Sequence, residues 1–90
     1  RGEKELYTLV TNTVQALLRE GRDPIQASLV KDTIKRKQPS FSESDYGYTA
    51  FQDLLEEMQE TGLLDLREDP RSGTYFVRLG KKRSRRRRRR

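Results

Sequence analysis

One fifty-residue stretch constrains the fold of this chain more than any other feature. Its pattern predicts two short helices, a turn and a hairpin in succession. It runs from residue 28 to residue 77, and aromatic residues are crowded into its turn. Many domains that contact nucleic acid place a helix-turn-helix before a two-stranded wing in this order. We therefore expect a mainly α fold with a small β-hairpin, a winged helix-turn-helix, whose function comes from a surface.

Hydrophobic periodicity predicts the first helix. Apolar residues between Leu6 and Leu18 recur with three- and four-residue spacing, which gives one apolar stripe. Gly21 is placed to end this helix in the left-handed conformation. Pro24 then signals a turn, and residues 25–27 are expected to form a very short extended segment.

Two further helices are expected within the central stretch. Ser28 is a plausible N-cap for a second helix that runs to about Lys37, and Pro39 stops it because the residue before a proline resists helical angles. Thr49, with Gln52 as its capping-box partner, is expected to begin the third helix. Four apolar residues of this helix are expected to be buried: Phe51, Leu54, Leu55 and Met58. Four carboxylates are expected to make its outer face acidic: Asp53, Glu56, Glu57 and Glu60.

The turn between these two helices carries a capping signature of its own. Ser42 and Asp45 fit a capping box, and Phe41 and Tyr46 flank them at the positions of a hydrophobic staple. Gly47 then breaks this single turn. The signature predicts a compact aromatic turn between the second and third helices.

Two strands are expected to follow the third helix, which Gly62 ends as its C-cap. Residues 64–67 and 74–79 alternate like half-buried strands, with the leucines of the first strand opposite alternate apolar residues of the second. Between them, residues 69–73 have proline early and glycine late, which suits a tight hairpin loop. This hairpin is the expected wing.

Charge divides the chain into two chemically different parts. Residues 1–79, the expected domain, hold 11 basic and 14 acidic residues and carry a net charge of −3. Residues 80–90 contribute nine basic groups and no acid, and this Arg-rich tail is expected to be disordered in isolation. The formal net charge of +6 therefore comes from the tail. Within the domain, contact with nucleic acid is supported only by a local basic cluster, which contains Lys31, Lys35, Arg36 and Lys37.

Composition excludes several kinds of chemistry. Without cysteine or histidine the chain has no disulfide, thiolate nucleophile, zinc-finger ligand set or histidine general base. The four acids on the third helix are more typical of a solvated face than of a metal site. No apolar run approaches the roughly 20 residues that span a bilayer. We therefore expect no enzyme, no cofactor, no metal and no membrane span, and we expect the chain to be a piece of a longer protein.

Several short motifs follow one another in a distinctive order. They are Ile34-Lys35-Arg36, Pro39-Ser40-Phe41, Tyr46-Gly47-Tyr48, Phe51, Leu54-Leu55-Glu56, Gly62-Leu63-Leu64 and Ser72-Gly73-Thr74-Tyr75. Each motif alone is weak, but in this order and spacing they resemble the LOTUS, or OST-HTH, domain over roughly residues 6–79. The resemblance is greatest to the bacterial, C-terminal type that accompanies NYN-type ribonuclease domains.

The resemblance implies a winged-helix fold and a non-catalytic RNA-binding module. Members of the family are described as favouring G-rich RNA, including G-quadruplexes, and a subset instead docks a DEAD-box helicase through an additional helix after the wing. Here the wing leads into Gly80 and a run of arginines, which offers no apolar helix face. The resemblance therefore favours RNA over the helicase and implies a longer RNA-processing parent that this module targets.

The candidate RNA-binding residues come from the basic cluster, the aromatic turn, the wing and the tail. They are Lys31, Lys35, Arg36, Lys37, Tyr48, Thr49, Arg71, Arg78, Lys81, Lys82 and Arg83. Phosphate contacts are the commonest use of a basic patch, and a tyrosine can stack on a base. Simpler roles fit the same residues: a solvated helix end that suits the helix dipole, a ring in the core, an ordinary loop, and a tail for solubility or localisation.

Two other functions stay open on the sequence alone. The domain could dock a partner protein through the acidic helix or the wing, or it could bind duplex DNA like other winged helices. The acidic face opposes DNA, because a groove would then meet only the N-terminal end of the third helix near Tyr48 and Thr49. The tail is expected to bind any polyanion, DNA included, without sequence preference. We expect a monomer in the cytoplasm, or in the nucleus if the source is eukaryotic.

Overall fold

Three helices and a small antiparallel sheet make up residues 3–80, the part of the chain that the computed structural model describes. The elements are α1 (Glu3–Arg19), β1 (Ile25–Gln26), α2 (Ala27–Lys37), a 3-10 turn (Glu43–Tyr46), α3 (Phe51–Thr61), β2 (Leu64–Glu68) and β3 (Tyr75–Leu79). The mainly α fold with a small sheet is confirmed, and it is compatible with a winged helix. The short extended segment expected before the second helix is confirmed as β1.

The sheet has the strand order β1-β3-β2, so the wing hairpin is extended by a third strand. Val77 at the centre of β3 pairs with Ile25 of β1 on one side and with Leu66 of β2 on the other. All three side chains are buried, because alternate residues of a strand face the same side of the sheet. The predicted pairing of the strand leucines with alternate residues of the second strand is confirmed.

One hydrophobic cluster joins the three helices to the inner face of the sheet. α1 packs on α2 and β3, and α3 packs on β2. The predicted inner face of α3 is confirmed, and the core also takes in Phe41 from the aromatic turn. Its fully buried aliphatic members include Val10, Val14, Val30, Ile34, Leu54, Leu55 and Met58.

The predicted N-cap of the second helix is wrong. α2 begins at Ala27, directly after β1, and Gln26 is its N-cap with extended backbone angles (φ −81°, ψ 149°) and no side-chain capping bond. Ser28 therefore lies inside the first turn. The short strand sets the start of this helix, because the pairing of β1 with β3 holds the backbone extended up to Gln26.

The two predicted capping boxes around the aromatic turn are also wrong. Ser42 is the N-cap of the 3-10 turn but makes no capping bond, and its hydroxyl lies 2.8 Å from that of Ser44. α3 begins at Phe51 after Ala50, not at Thr49. Packing of aromatic rings sets this entry, because the Phe41 ring meets Phe51 edge-on at 6.2 Å between centroids.

The aromatic staple itself is present. The rings of Phe41 and Tyr46 lie 6.3 Å apart between centroids, and Phe41 is buried while Tyr46 packs against the core from outside. The pair therefore holds the 3-10 turn onto the domain, as the spacing of the two aromatic residues predicts.

α3 ends in a glycine C-cap, and the residue that follows β3 is hydrogen-bonded to this cap. Gly62 has a φ of +89°, and the amide of Leu63 donates to the carbonyl of Met58 at 3.0 Å, as the sequence predicts for a C-cap glycine. The amide of Gly80 then donates to the carbonyl of Leu63 at 2.8 Å. The first residue assigned to the tail is thus bonded to the folded body, and residues 81–90 lie outside the described part of the chain.

Candidate nucleic-acid interface

The C-terminal turn of α2 presents three exposed cations. Lys35, Arg36 and Lys37 are its last three residues, and all three side chains are exposed. Within residues 3–80 none of them forms an ion pair within 4.0 Å, and the acids of α3 do not reach them. This basic end, as we call these three residues, can therefore meet an external anion while also stabilising the helix dipole.

Lys31, one turn earlier, is in a different environment from the basic end. Its ammonium nitrogen lies 3.3 Å from a carboxylate oxygen of Glu43 in the 3-10 turn, and the two side chains are 35% and 16% exposed. Lys31 was predicted as an RNA contact, but in the structure it already has an anionic partner. A partly buried pair of this kind is held more firmly than an exposed one, since water screens it less.

Glu43 is an acid placed among cations. Burial of its carboxyl opposes ionisation, but a backbone hydrogen bond and the ammonium groups of Lys31 and Lys35 outweigh burial, so its pKa lies below the usual range. Glu43 therefore stays ionised at neutral pH and offsets part of the positive potential beside the basic end. Sequence reasoning missed it because the contact with Lys31 spans 12 residues and two elements.

Tyr48 is anchored by its hydroxyl. The ring is half-buried and packs against the core, and the hydroxyl donates to Glu57 of α3 at 2.8 Å. The Tyr7 hydroxyl of α1 donates to the same carboxylate oxygen. The pKa of Tyr7 is raised, mainly by burial and also by its hydrogen bond to Glu57. The pKa of Glu57 is lowered by the hydrogen bonds that it accepts from Tyr7 and Tyr48. The packing of the Tyr48 ring and its bond to Glu57 support the buried role, which was one of the two roles that the sequence left open. Base stacking by Tyr48 stays a prediction.

The outer face of α3 is less free to act as an acidic surface than the sequence predicts. Glu57 accepts the two tyrosine hydroxyls, and Glu56 accepts a hydrogen bond from Tyr75 of β3 at 3.0 Å, which raises the pKa of that tyrosine. Asp53 and Glu60 are exposed. Among residues 3–80, no group of three or more acidic side chains comes together as a metal site would require.

The remaining candidates occupy separate parts of the surface. Thr49 is exposed just before α3, and Arg71 is exposed in the wing loop, where its amide donates to the Asp69 side chain at 3.0 Å. Arg78 is exposed on β3, opposite Asp65 of β2. Lys81, Lys82 and Arg83 lie outside the described residues. Of the candidates within residues 3–80, only the three of the basic end are adjacent to one another at one helix end.

The comparisons with known proteins add one finding to this geometry. The family model of the OST-HTH/LOTUS domain matches residues 4–75, which is most of the chain. Neither the curated proteins nor the solved structures contain a match. No helix within residues 3–80 has the length and apolar character needed to cross a membrane. The chain therefore belongs to the OST-HTH/LOTUS domain family, which comprises non-catalytic modules that bind RNA or partner proteins.

Proposed function

We propose that this domain binds RNA through the basic end of α2 and favours G-rich or G-quadruplex RNA. The observation that supports the proposal is that three exposed cations share one helix end and have no acidic partner within 4.0 Å among the described residues. Phosphate oxygens are the natural ligands of such a patch. Tyr48, Thr49, Arg71 and Arg78 are further contacts within this proposal.

The proposal extends to the protein that carries the domain. We place this module in a longer RNA-processing protein of the type that contains an NYN ribonuclease domain, where it delivers RNA and performs no chemistry itself. The resemblance of its motifs to the bacterial, C-terminal type supports this placement. The nine basic residues after Gly80 add sequence-independent affinity for any polyanion. A monomeric, cytoplasmic protein belongs to the same proposal.

Reversing two charges at the basic end tests the RNA-binding surface. The tail-neutral variant, which is the full chain with Arg85 to Arg90 replaced by serine, limits the background from the tail. In this variant, Lys35→Glu with Arg36→Glu is expected to weaken RNA binding at 150 mM salt by about 10- to 100-fold. This loss corresponds to about one charged hydrogen bond of about 1.5–3 kcal/mol, since about 1.4 kcal/mol is tenfold in affinity and salt screens contacts at an exposed surface. Fluorescence anisotropy with labelled RNA measures the change.

A matched control separates this site from overall charge. Lys4→Glu with Arg19→Glu reverses two exposed charges on α1 and changes the net charge equally. This control is expected to retain most of the affinity. Equal losses in the two double variants would show that the basic end has no special role. If the basic-end variant keeps its RNA affinity but loses a partner in a pull-down, the protein-docking function replaces the proposal.

Preference for G-rich RNA needs a separate comparison. The tail-neutral variant is expected to bind a G-quadruplex RNA more tightly than a scrambled oligomer of the same length and composition at 150 mM salt. Equal affinity for the two would leave RNA binding intact and remove the preference. Competition by duplex DNA tests the alternative that the domain binds DNA as other winged helices do. The exposed Asp53 and Glu60 of α3 disfavour this alternative, since they would repel the phosphates of a DNA groove.

Glu43→Gln is expected to strengthen RNA binding in the tail-neutral variant by about two- to fivefold. The substitution removes the anion that holds Lys31 at 3.3 Å and lies beside Lys35, so Lys31 becomes available to phosphate. One additional phosphate contact should also steepen the salt dependence by about 0.7. Asp45→Asn removes an exposed acid from the same 3-10 turn and is the control. A gain of equal size in both variants would show a general charge effect instead of release of Lys31.

A further inference from the structure

Phe76 on β3 differs from every other aromatic side chain of the domain. The chain has seven aromatic residues, and all of them lie within residues 3–80. Six are buried in the hydrophobic core or pack against it, whereas Phe76 is half-buried and is not part of that cluster. Core packing therefore gives no reason for a phenyl ring at this position.

The pairing of the strands shows which face of the sheet carries this ring. Val77 points into the core, so Phe76 lies on the opposite, outer face. Directly across from it are Gln26 of β1 and Arg67 of β2, both exposed. The outer face thus has a row in which an aromatic ring is flanked by an amide and a guanidinium group. Arg78, two residues along β3, lies on the same face.

A groove of about 500 Å³ lies beside Phe76 on this face of the sheet. Phe76 and Leu29 supply its apolar surface, and Arg22, Gln26 and Asp32 are among its polar lining residues. Arg22 is 3.8 Å from Glu20, and both side chains are more than half exposed. An exposed pair at this distance contributes little, so Arg22 can turn to another anion.

We propose that the outer face of the sheet binds single-stranded RNA, with an unpaired base stacked on Phe76 and the neighbouring phosphates held by Arg67 and Arg22. This inference rests on the proposed RNA-binding function and adds a second contact surface to it. Aromatic rings on open surfaces serve as stacking platforms for bases, and guanidinium groups bind phosphate oxygens in bidentate fashion. The combination fits a nucleotide, since one part takes the base and the other takes the backbone.

Acidic residues near Phe76, which we call the platform, determine how the RNA strand lies on the sheet. Asp65 is paired across the strands with Arg78, and Asp32 lines the groove on the α2 side. Both repel phosphate, so the backbone is directed towards Arg67 and Arg22. Carboxylate and amide oxygens accept hydrogen bonds from base N–H groups, which makes Asp32 and Gln26 suited to the edge of the base.

The platform and the basic end lie at opposite ends of one helix. α2 begins beside the groove at Ala27 and ends at Lys37, and a rise of 1.5 Å per residue over that span gives about 15 Å. This distance is within reach of one RNA strand of a few nucleotides. The two surfaces can therefore act on the same strand, with base stacking at one end of α2 and phosphate contacts at the other.

Phe76→Leu in the tail-neutral variant tests the platform. Leucine keeps an apolar side chain but removes the ring face, so binding of an unstructured RNA oligomer is expected to weaken about fivefold or more, the low end for loss of one base stack. Because Phe76 is outside the core cluster, the melting temperature is expected to stay close to that of the parent variant. Arg67→Gln is the second variant, with Lys4→Gln as the control that removes one exposed charge elsewhere.

Chemical-shift mapping of the same protein with the same RNA supplies an independent readout. Amide shifts at Gln26, Arg67 and Phe76 that follow the RNA concentration support the platform. Unchanged affinity in Phe76→Leu, or RNA-induced shifts confined to the basic end, would overturn it and leave the proposed function standing. If the tail-neutral variant binds no RNA at all, the proposed function fails first and the platform falls with it.

Discussion

Raising the salt from 50 to 200 mM is expected to weaken binding of single-stranded RNA by the full chain by about 10³–10⁴-fold. Nine basic residues follow Gly80. If each neutralises one phosphate, the logarithm of the binding constant falls with the logarithm of the salt concentration with a slope of about −0.7 per contact. The total slope is then about −6, and the fourfold rise in salt gives the stated loss.

The tail-neutral variant shows how much of this dependence the terminal arginines cause. Removing six of the nine cations is expected to make the slope shallower by about four. A titration series in anisotropy, with both proteins measured at several salt concentrations, gives the two slopes. Equal slopes would mean that the arginines make no phosphate contacts and that the salt-sensitive contacts belong to the domain.

The distribution of charge explains why we expect most of the affinity for RNA to come from the tail and any preference among RNAs to come from the domain. The domain carries a net charge of −3 and cannot attract RNA by its overall field, whereas the tail can attract any polyanion. Any preference therefore has to come from fixed geometry, for which the basic end of α2 and the sheet face around Phe76 are the proposed surfaces. A salt concentration that suppresses the tail should expose whatever preference the domain has.

Local patterns were sufficient to predict the architecture and the C-terminal ends of α2 and α3, but not the residues at which these two helices begin. The apolar stripe of α1, the buried face of α3 and the pairing in the hairpin follow from periodicity alone, because side-chain direction repeats every 3.6 residues in a helix and every two in a strand. The N-caps predicted at Ser28 and Thr49 were wrong, because strand pairing and aromatic packing set where α2 and α3 begin. Ser42 is the N-cap of its 3-10 turn, but the predicted side-chain capping bond is not formed.

The candidate site was predictable only where it is local. Lys35, Arg36 and Lys37 follow one another on one helix, so the sequence identified them as a cluster. The partners that modify the site are distant: Glu43 is 12 residues from Lys31, and Glu57 is 50 residues from Tyr7. Phe76 did carry a signal, since its inward-facing neighbours on β3 leave it on the outer face, but apolar residues in a strand are usually assigned to a core.

Gly80→Ala is expected to destabilise the domain by about 2–4 kcal/mol. A Cβ atom on Gly80 would lie 2.1 Å from the carbonyl oxygen of Gly62 and 2.8 Å from the carbonyl carbon of Leu63. These are backbone atoms at the closed end of α3, so the end of β3 has to move away. Overpacking costs about 1–3 kcal/mol, and loss of the Gly80 amide bond to Leu63 adds about 1 kcal/mol.

Thermal unfolding of the full chain measures this cost. A change of about 1 kcal/mol shifts the melting temperature of a domain this small by about 4–8 °C, so a fall of roughly 10 °C or more is expected. Gly73→Ala is the control, because a Cβ there meets nothing within 4 Å and adds only the strain of a positive φ, about 1–2 kcal/mol. An unchanged melting temperature in Gly80→Ala would contradict the close approach of β3 to the end of α3.

The same variant separates the two sources of RNA affinity. All nine basic residues after Gly80 remain in Gly80→Ala, so binding at 50 mM salt is expected to survive even where the domain is partly unfolded. Any preference for G-rich RNA at 150 mM salt is expected to decline together with the folded fraction, since it depends on the placement of α2 against the sheet. If that preference persists above the melting temperature of the variant, it belongs to the basic segment and the folded surface has no part in it.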